Sequence, residues 1–314
     1  MKLKPIKPFE PVMVDKIPAG PGWIHQIKWD GVRILTYFDG KEIKLFNRNQ
    51  NERTQNYPEL TDVKSYVSAQ SVILDGEVIA LGADGKPSFH EIMRRDGIRR
   101  YERVKTMMQK VPIFYMIYDV IYFNGEWINN ETLKARTGLL SKIIRTNDTI
   151  QVLSAQTNGV ALFDTVRQQN MEGIVSKRLD SSYILSGKDD RWQKVKNYKD
   201  LIAVVGGATY RQGKVNAILL GLYNEQNQLI YVGHSGSGKL SSAEWGIIAQ
   251  FIERIKIEKS PFSNQPKEGR QAQWIRPVLT VKVHYTNWTA DRSLRQPVIQ
   301  SFVNQDPKLC RFEA

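Results

Sequence analysis

A lysine, an aspartate, a glycine and an arginine stand at fixed offsets in "HQIKWDGVRIL", residues 25–35: Lys28, Asp30, Gly31 and Arg33. An amine in such a run is either an ordinary solvated side chain or a nucleophile. At its reference pKa of about 10.4 it is protonated and inert at neutral pH, and it reacts only where its surroundings disfavour the ammonium. Three other stretches carry groups that could do this. In "LDGEVIA", period-two alternation places Asp75 and Glu77 on one strand face with Ile73 and Ile79, opposite Leu74, Gly76, Val78 and Ala80. Two carboxylates so spaced can hold a metal ion or a ribose hydroxyl. "MEGIVSKR" sets Glu172 directly before Gly173 with Lys177 four residues beyond it, and "RWQKVKNY" puts Lys194 and Lys196 on one strand face. Such a lysine pair is usually solvated, but beside a phosphate it would be matched in charge.

The elements that must position these groups are mostly short strands. "VRILTYF" and "KEIKLFNR" flank Asp39-Gly40, a strong hairpin signal. A two-residue turn there would make Phe38 face Lys41 and Gly31 face Arg48. Lys28, Asp30, Arg33 and Arg48 would then converge at one end of the hairpin. Residues 71–81, 113–123, 173–178 and 191–197 also read as strands, with helical patterns near 131–145 and 160–170. After polar "KNYKD" comes a second strand-rich block, "LIAVVGGATY", "NAILLGLYN" and "LIYVGHS". A helix follows over about 242–257, then a polar loop and a last strand pair in "VLTVKVHYTNW". The expected organisation is an α+β domain over 1–199 and a small β-barrel domain over 200–314.

The chain has 314 residues, 41% of them hydrophobic and 25% charged, enough for two cores. Its net charge of +13 points to a polyanionic partner; residues 201–314 carry +6 and residues 1–200 carry +7. Charge shared by both domains suits a clamp around nucleic acid better than a basic tail does. The single cysteine, Cys310, excludes a disulfide within the chain and a multi-cysteine zinc site. The N-terminus lacks the apolar segment of a signal peptide, and "VPIFYMIYDVIYF" is too short to span a bilayer. A cytoplasmic, nucleoid-associated protein that is neither secreted nor membrane-bound is the expectation. "GHSGSGKL" (233–240) fits G-x-x-x-x-G-K, but Leu240 stands where a P-loop needs Ser or Thr for Mg²⁺, so a glycine-rich turn explains it better.

Taken together and in this order, these stretches resemble the nucleotidyltransferase superfamily of ATP-dependent DNA ligases. The likeness covers nearly the whole chain and is greatest to the ligase module of bacterial end-joining ligases and to small stand-alone bacterial and phage ligases. It implies an α+β adenylation domain (ATP-grasp-like) followed by an OB-fold. Lys28 in "IKWDGVR" corresponds to the lysine that becomes linked to AMP, with Ile27 beside it at the nucleotide. Arg33 and Arg48 in "FNRN" correspond to residues that bind ribose, phosphate and the 5′-phosphate of the nick. Glu77 matches the ribose-binding glutamate and a metal ligand, Tyr118 the aromatic stacked on adenine, and Glu172 a metal-site carboxylate. Lys194 and Lys196 match the lysines on the α-phosphate, and Arg295 in "NWTADRSLRQP" the pyrophosphate contact. Three departures stand out. Gln26 replaces a frequent Glu, "NRN" replaces "SRN", and Arg292 and Gln296 replace the Gly and His of T-x-D-G-x-L-R-H-P.

The resemblance implies ATP and Mg²⁺ (or Mn²⁺) as cofactors and nicked duplex DNA as partner. It also implies a monomeric enzyme, with a Ku-type end-binding protein as a further partner. The chemistry would run in three steps: lysyl-AMP forms, AMP moves to the 5′-phosphate, and the 3′-hydroxyl expels it. The cations around Lys28 would disfavour its ammonium and then neutralise charge on the α-phosphate. An RNA ligase or a capping guanylyltransferase shares K-x-D-G, but the forms "LDGEV", "EGIVSKR" and "WQKVK" favour DNA ligase. The NAD-dependent ligases carry a four-cysteine module that one cysteine cannot supply. A non-catalytic single-strand-binding OB-fold protein would leave Lys28 and Glu172 unexplained.

Overall fold

The computed structural model describes residues 3–266, 269, 272–289 and 291–312. The chain divides into two units, each folded around its own core: Met1–Asn197 and Tyr198–Ala314.

The first unit is built on two sheets. The smaller has the order β1-β10-β9-β2, from Glu10–Met13, Lys188–Lys196, Gly173–Arg178 and Trp23–Ile27. The larger runs β4-β3-β5-β6-β7, from Ile43–Asn47, Val32–Phe38, Val72–Ala80, Ile113–Phe123 and Glu126–Trp127, with β8 (Ile150–Val152) also on β6. Three apolar layers follow from strand alternation. Leu74, Val78 and Ala80 of β5 join Ile92 of α2 (Phe89–Asp96) and Leu140 of α4 (Leu133–Ile143) in the main core. Ile73, Leu35 and Tyr37 face the other way and meet Trp192 of β10 between the two sheets. On the outer side of the small sheet, Ile174 and Val195 pack with Val166 of α5 (Gly159–Gln168). A short helix α1 (Val63–Tyr66) and α3 (Val104–Lys110) complete this unit.

The β3–β4 hairpin differs from the two-residue turn expected of Asp39-Gly40. Phe38 pairs with Ile43 and Ile34 with Asn47, so the connection spans four residues. The Asp39 side chain causes this, because its Oδ1 accepts from the amides of both Lys41 and Glu42. The register moves by two residues and the ladder stops at Asn47, so Arg48 does not face Gly31. It is exposed in the turn beyond β4.

The second unit carries a sheet of order β13-β12-β11-β15-β14, from Leu229–Ser235, Lys214–Tyr223, Lys199–Arg211, Ala272–Tyr285 and Lys256–Ile257, with β18 (Val298–Val303) on β15. α6 (Ser242–Arg254) starts at a capping box in which Ser241 and Glu244 satisfy each other's amides. The expected terminal strand pair is one long strand, β15, followed by the small ribbon of β16 (Asn287–Trp288) and β17 (Leu294–Arg295). The glycine-rich turn before α6 serves packing: the Lys239 amide donates to Ile299 O of β18 at 2.9 Å.

Candidate active site

Lys28 is the first residue beyond β2 rather than within a strand, and its amide donates to Gly173 O at 2.9 Å. That bond ties the lysine backbone to the start of β9, one residue from Glu172. Gly173 has φ +151°, and a Cβ there would meet Val195 O at 2.2 Å. Only glycine lets β9 start this close to β10. Asn197, ending the unit, clamps the same corner: its amide donates to Glu172 O and its side chain to Met171 O.

Glu172 therefore sits between two lysines. Lys28 Nζ donates to its Oε2 at 2.6 Å, and Lys196 Nζ lies 3.5 Å from Oε1. The Lys28 side chain keeps 23% of its surface open, against 8% for Glu172 and 9% for Lys196. Lys194, one alternation back along β10, pairs with Val175 and shares the Lys196 face. Its pKa is lowered, first by burial and then by Lys28 and Lys196, so the three ammonium groups share one field. Of the cations expected around Lys28, Lys194 and Lys196 share its field and Glu172 stands between, while Arg33 is engaged by Asp75 and Arg48 is exposed.

Across the gap lies β5. Gly31 crosses it so closely that a Cβ would meet Val78 O at 2.3 Å, which lets the chain pass from Lys28 on one sheet to Arg33 on the other. Arg33 grips Asp75 with both arms, at 2.9 and 2.5 Å, and Asp75 also accepts from Tyr118 OH at 3.1 Å and Tyr183 OH at 2.7 Å. Asp75 is thus a fully buried anchor for Arg33, a role that sharing a strand face with Glu77 did not reveal. Glu77 pairs with Arg33 across the ladder. Burial pushes its carboxyl up to about 8; Lys28 and Arg33 oppose the shift, while Glu172 and Asp75 add to it.

Three buried polar groups on the small sheet lack hydrogen-bond partners among the described residues: Lys177 Nζ, Gln26 Oε1 and Trp192 Nε1. Lys177 Nζ lies 4.2 Å from the Tyr118 ring centroid and 4.0 Å from that of Trp192. Burial brings its pKa down to about 7, although Asp119 and Asp75 oppose the shift. Gln26 donates its Nε2 to Leu153 O at 3.2 Å, which leaves Oε1 as its open acceptor. Sequence reasoning gave Lys177 no role; four apolar or small residues precede it in β9, and the alternation of that strand was the available signal.

An apolar cavity of about 470 Å³ lies beside this cluster, lined in part by Trp29, Ile79, Phe114, Met116 and Met171. Trp29 follows Lys28, Met171 precedes Glu172, and Met116 pairs with Glu77. Its volume falls in the range of small-ligand sites. Among the described residues no group of three or more His, Cys, Asp or Glu could hold a metal ion. Mg²⁺ uses one or two carboxylates together with substrate phosphates and waters. The Glu77 and Glu172 carboxyls, coupled in charge, fit an ion that arrives with a nucleotide.

In the second unit, Arg295 pairs with Asn287 and its carbonyl accepts from the Thr286 amide. Arg292 and Gln296, which replace the glycine and histidine of the related pattern, both adopt left-handed φ, 56° and 52°. Ile27, pairing with Ile174 at the end of β2, leads directly to Lys28.

The sequence matches the description "ATP dependent DNA ligase domain" over residues 7–196 and "ATP dependent DNA ligase C terminal region" over residues 211–304. The chain belongs to the ATP-dependent DNA ligase family. The fold agrees: an adenylation domain precedes an OB-fold. Among ligase relatives, the multifunctional non-homologous end joining protein LigD of Pseudomonas aeruginosa is 27% identical over 305 residues, 94% of this chain and 35% of that protein. The chain thus spans about a third of the length of that LigD. The SPbeta prophage-derived DNA ligase-like protein LigB of Bacillus subtilis is 34% identical over 194 residues, 61% of this chain and 67% of that one. The solved ligase domain of M. tuberculosis LigD aligns with a TM-score of 0.52 at 23% identity, covering 98% of each chain. A structure of Lig E DNA ligases aligns at 0.58 with 17% identity, covering 94% of this chain and 99% of the other. No helix among the described residues is long and apolar enough to cross a membrane.

Proposed function

We propose that the chain seals 5′-phosphate/3′-hydroxyl nicks in duplex DNA at the expense of ATP, with Lys28 as the nucleophile. The observation that carries this reading is the bridge of Glu172 between Lys28 and Lys196. Lys28 Nζ first gives a proton to Glu172 Oε2, 2.6 Å away; the freed lone pair then bonds to the α-phosphorus as the bond to pyrophosphate breaks, and the second proton leaves to solvent. Lys194 and Lys196 then face the charge that builds on the α-phosphate. A 5′-phosphate oxygen takes AMP from Lys28, and the 3′-hydroxyl attacks that phosphate and releases AMP. Glu77 and Glu172 would hold Mg²⁺, which supplies further neutralisation of phosphate charge.

Arg33, fixed by Asp75, is suited to ribose and the nick phosphate, and exposed Arg48 to the DNA strand. Adenine stacks on Tyr118 once Lys177 draws aside from the ring. The orientation of Gln26 supports adenine: an open Oε1 can accept from the 6-amino group but would oppose the carbonyl of guanine. Arg295 serves the pyrophosphate. A monomer in the cytoplasm, associated with the nucleoid and working with a Ku-type protein at broken ends, is the setting we assign.

The test is incubation with Mg²⁺ and ATP labelled at the α-phosphate, followed by denaturing electrophoresis. A covalent label on the wild type and none on Lys28→Ala is expected. Absence of label on the wild type overturns the reading, and label on Lys28→Ala overturns the nucleophile.

A further inference from the structure

Between β5 and β6 the chain makes α2, a 3-10 turn (Tyr101–Arg103) and α3, a segment the active site does not use. Its inner side is fastened by Arg95, a fully buried side chain that bonds Glu59 at 2.9 Å and Asn56 O at 2.8 Å. Its outer side is basic. Residues 93–110 hold seven Lys and Arg against two acids, Asp96 and Glu102. The carboxylate of Asp96 is taken by Arg53 at 3.0 Å and by Tyr57 OH. Arg94 is matched by Glu91 within α2. Arg99, Arg100, Arg103 and Lys105 are exposed, and none is ion-paired among the described residues. Tyr101, 49% exposed, stands among them.

Elsewhere in the unit Arg33, Arg53, Arg136, Arg178 and Arg191 each hold a carboxylate, and those without one, such as Arg48, are not clustered in this way. A solvated helical face ordinarily mixes signs, as Glu91 and Arg94 do. Residues 99–105 carry four cations against one carboxylate, Glu102, and that excess is relieved by a polyanion. Position identifies which one. Asn56 Nδ2 donates to Asp96 O and Ile98 O, both at 3.1 Å, while the Arg53 amide donates to Leu45 O at 2.7 Å. The basic segment is therefore clamped to the strand end and turn that carry Arg48.

We propose that Arg99, Arg100, Arg103 and Lys105 form a docking surface for the phosphate backbone of the duplex flanking the nick. The inference rests on the ligase reading above and extends it to an assigned DNA path. Guanidinium groups and a tyrosine hydroxyl are suited to phosphate oxygens, and such contacts position a duplex without reading its sequence. The surface accordingly grips intact and nicked duplex alike.

The test uses the full chain with Arg99→Glu, Arg100→Glu and Arg103→Glu combined, beside a charge-retaining triple Lys variant. Lysyl-AMP formation, melting temperature and duplex affinity across salt concentrations are measured. The Glu variant should keep adenylation within about twofold. It should bind both duplexes at least about tenfold more weakly and lower the log–log salt slope by about 2 to 3, as expected for three lost phosphate contacts. The Lys variant should retain most affinity. Unchanged affinity and slope with adenylation intact overturn the surface and leave the ligase reading standing. A loss confined to nicked DNA, or shared fully by the Lys variant, also overturns it, since the first places the contact at the nick and the second is structural. Absence of lysyl-AMP in the wild type instead overturns the underlying reading.

Discussion

Two carboxylates of the first unit, Asp75 on β5 and Glu172 just before β9, are held in opposite ways. Asp75 has no exposed surface, and its oxygens take two arms of Arg33 and two tyrosine hydroxyls. Glu172 has two lysine partners and lies beside an amine that keeps about a quarter of its surface open. A carboxylate with all its acceptor sites filled and no solvent cannot change partners at an ordinary cost. One held by two ammonium groups at a half-open edge can release either to a phosphate. The comparison separates a carboxylate that positions from one that we propose takes part in chemistry, although both lie beside a glycine in similar strings, "LDGEV" and "MEGIV".

The strongest way to break this contrast is to neutralise each carboxylate. Glu172→Gln should lower lysyl-AMP formation at least about a hundredfold, as expected when a proton acceptor is lost, with a smaller loss of stability than Asp75→Asn because Lys28 keeps contact with solvent. Asp75→Asn should act first on stability. It leaves Arg33 buried against a neutral amide, at a cost of about 3 to 5 kcal/mol read by denaturant unfolding. Equal destabilisation by the two variants would erase the distinction. Lys196→Ala should abolish adenylation while nicked-DNA binding persists; loss of both would make Lys196 a structural residue.

Titration sharpens the contrast more gently. The Glu77 carboxyl, raised from 4.5 to about 8 in the fold, favours the folded state fully below pH 4.5, and that contribution is lost as pH rises through 8. Glu77→Gln should flatten the stability profile in that window. Lys177 works in the opposite sense: its pKa falls from 10.5 to about 7, so its burial costs most below pH 7. Lys177→Met should therefore be more stable than the wild type at pH 6, and the gap should close toward pH 10.5. The smallest expected effect concerns the cavity. Met116→Trp, which fills it, should leave the KM for ATP within about twofold if the base stacks on Tyr118; a large rise would move the base into the cavity.

Much of this arrangement was legible in the sequence because it lies on strands with one buried face. β6 and β9 occupy 113–123 and 173–178, as their apolar runs predict, and the two faces of β5 sort as period two requires. The hairpin register was not legible, since Asp39 adds two hydrogen bonds that a two-residue turn cannot make. α2 and α3 were missed because few apolar residues mark them: α2 buries Ile92 and an arginine, so its inner face reads as polar. The role of Asp75 depends on Tyr118 and Tyr183, 43 and 108 residues away, and local pattern carries no trace of such partners.

Gly173 joins three strands at one point: its missing side chain sets the gap to β10, its carbonyl holds the Lys28 amide, and the residue before it is Glu172. A single methyl group there would push against Val195 O and shift Lys28, Glu172 and Lys196 together. In a mutational survey scored by activity, position 173 would thus be indistinguishable from a catalytic position, though it offers no functional group. The spacing of Lys28, Glu172 and Lys196 is encoded in an atom the chain leaves out.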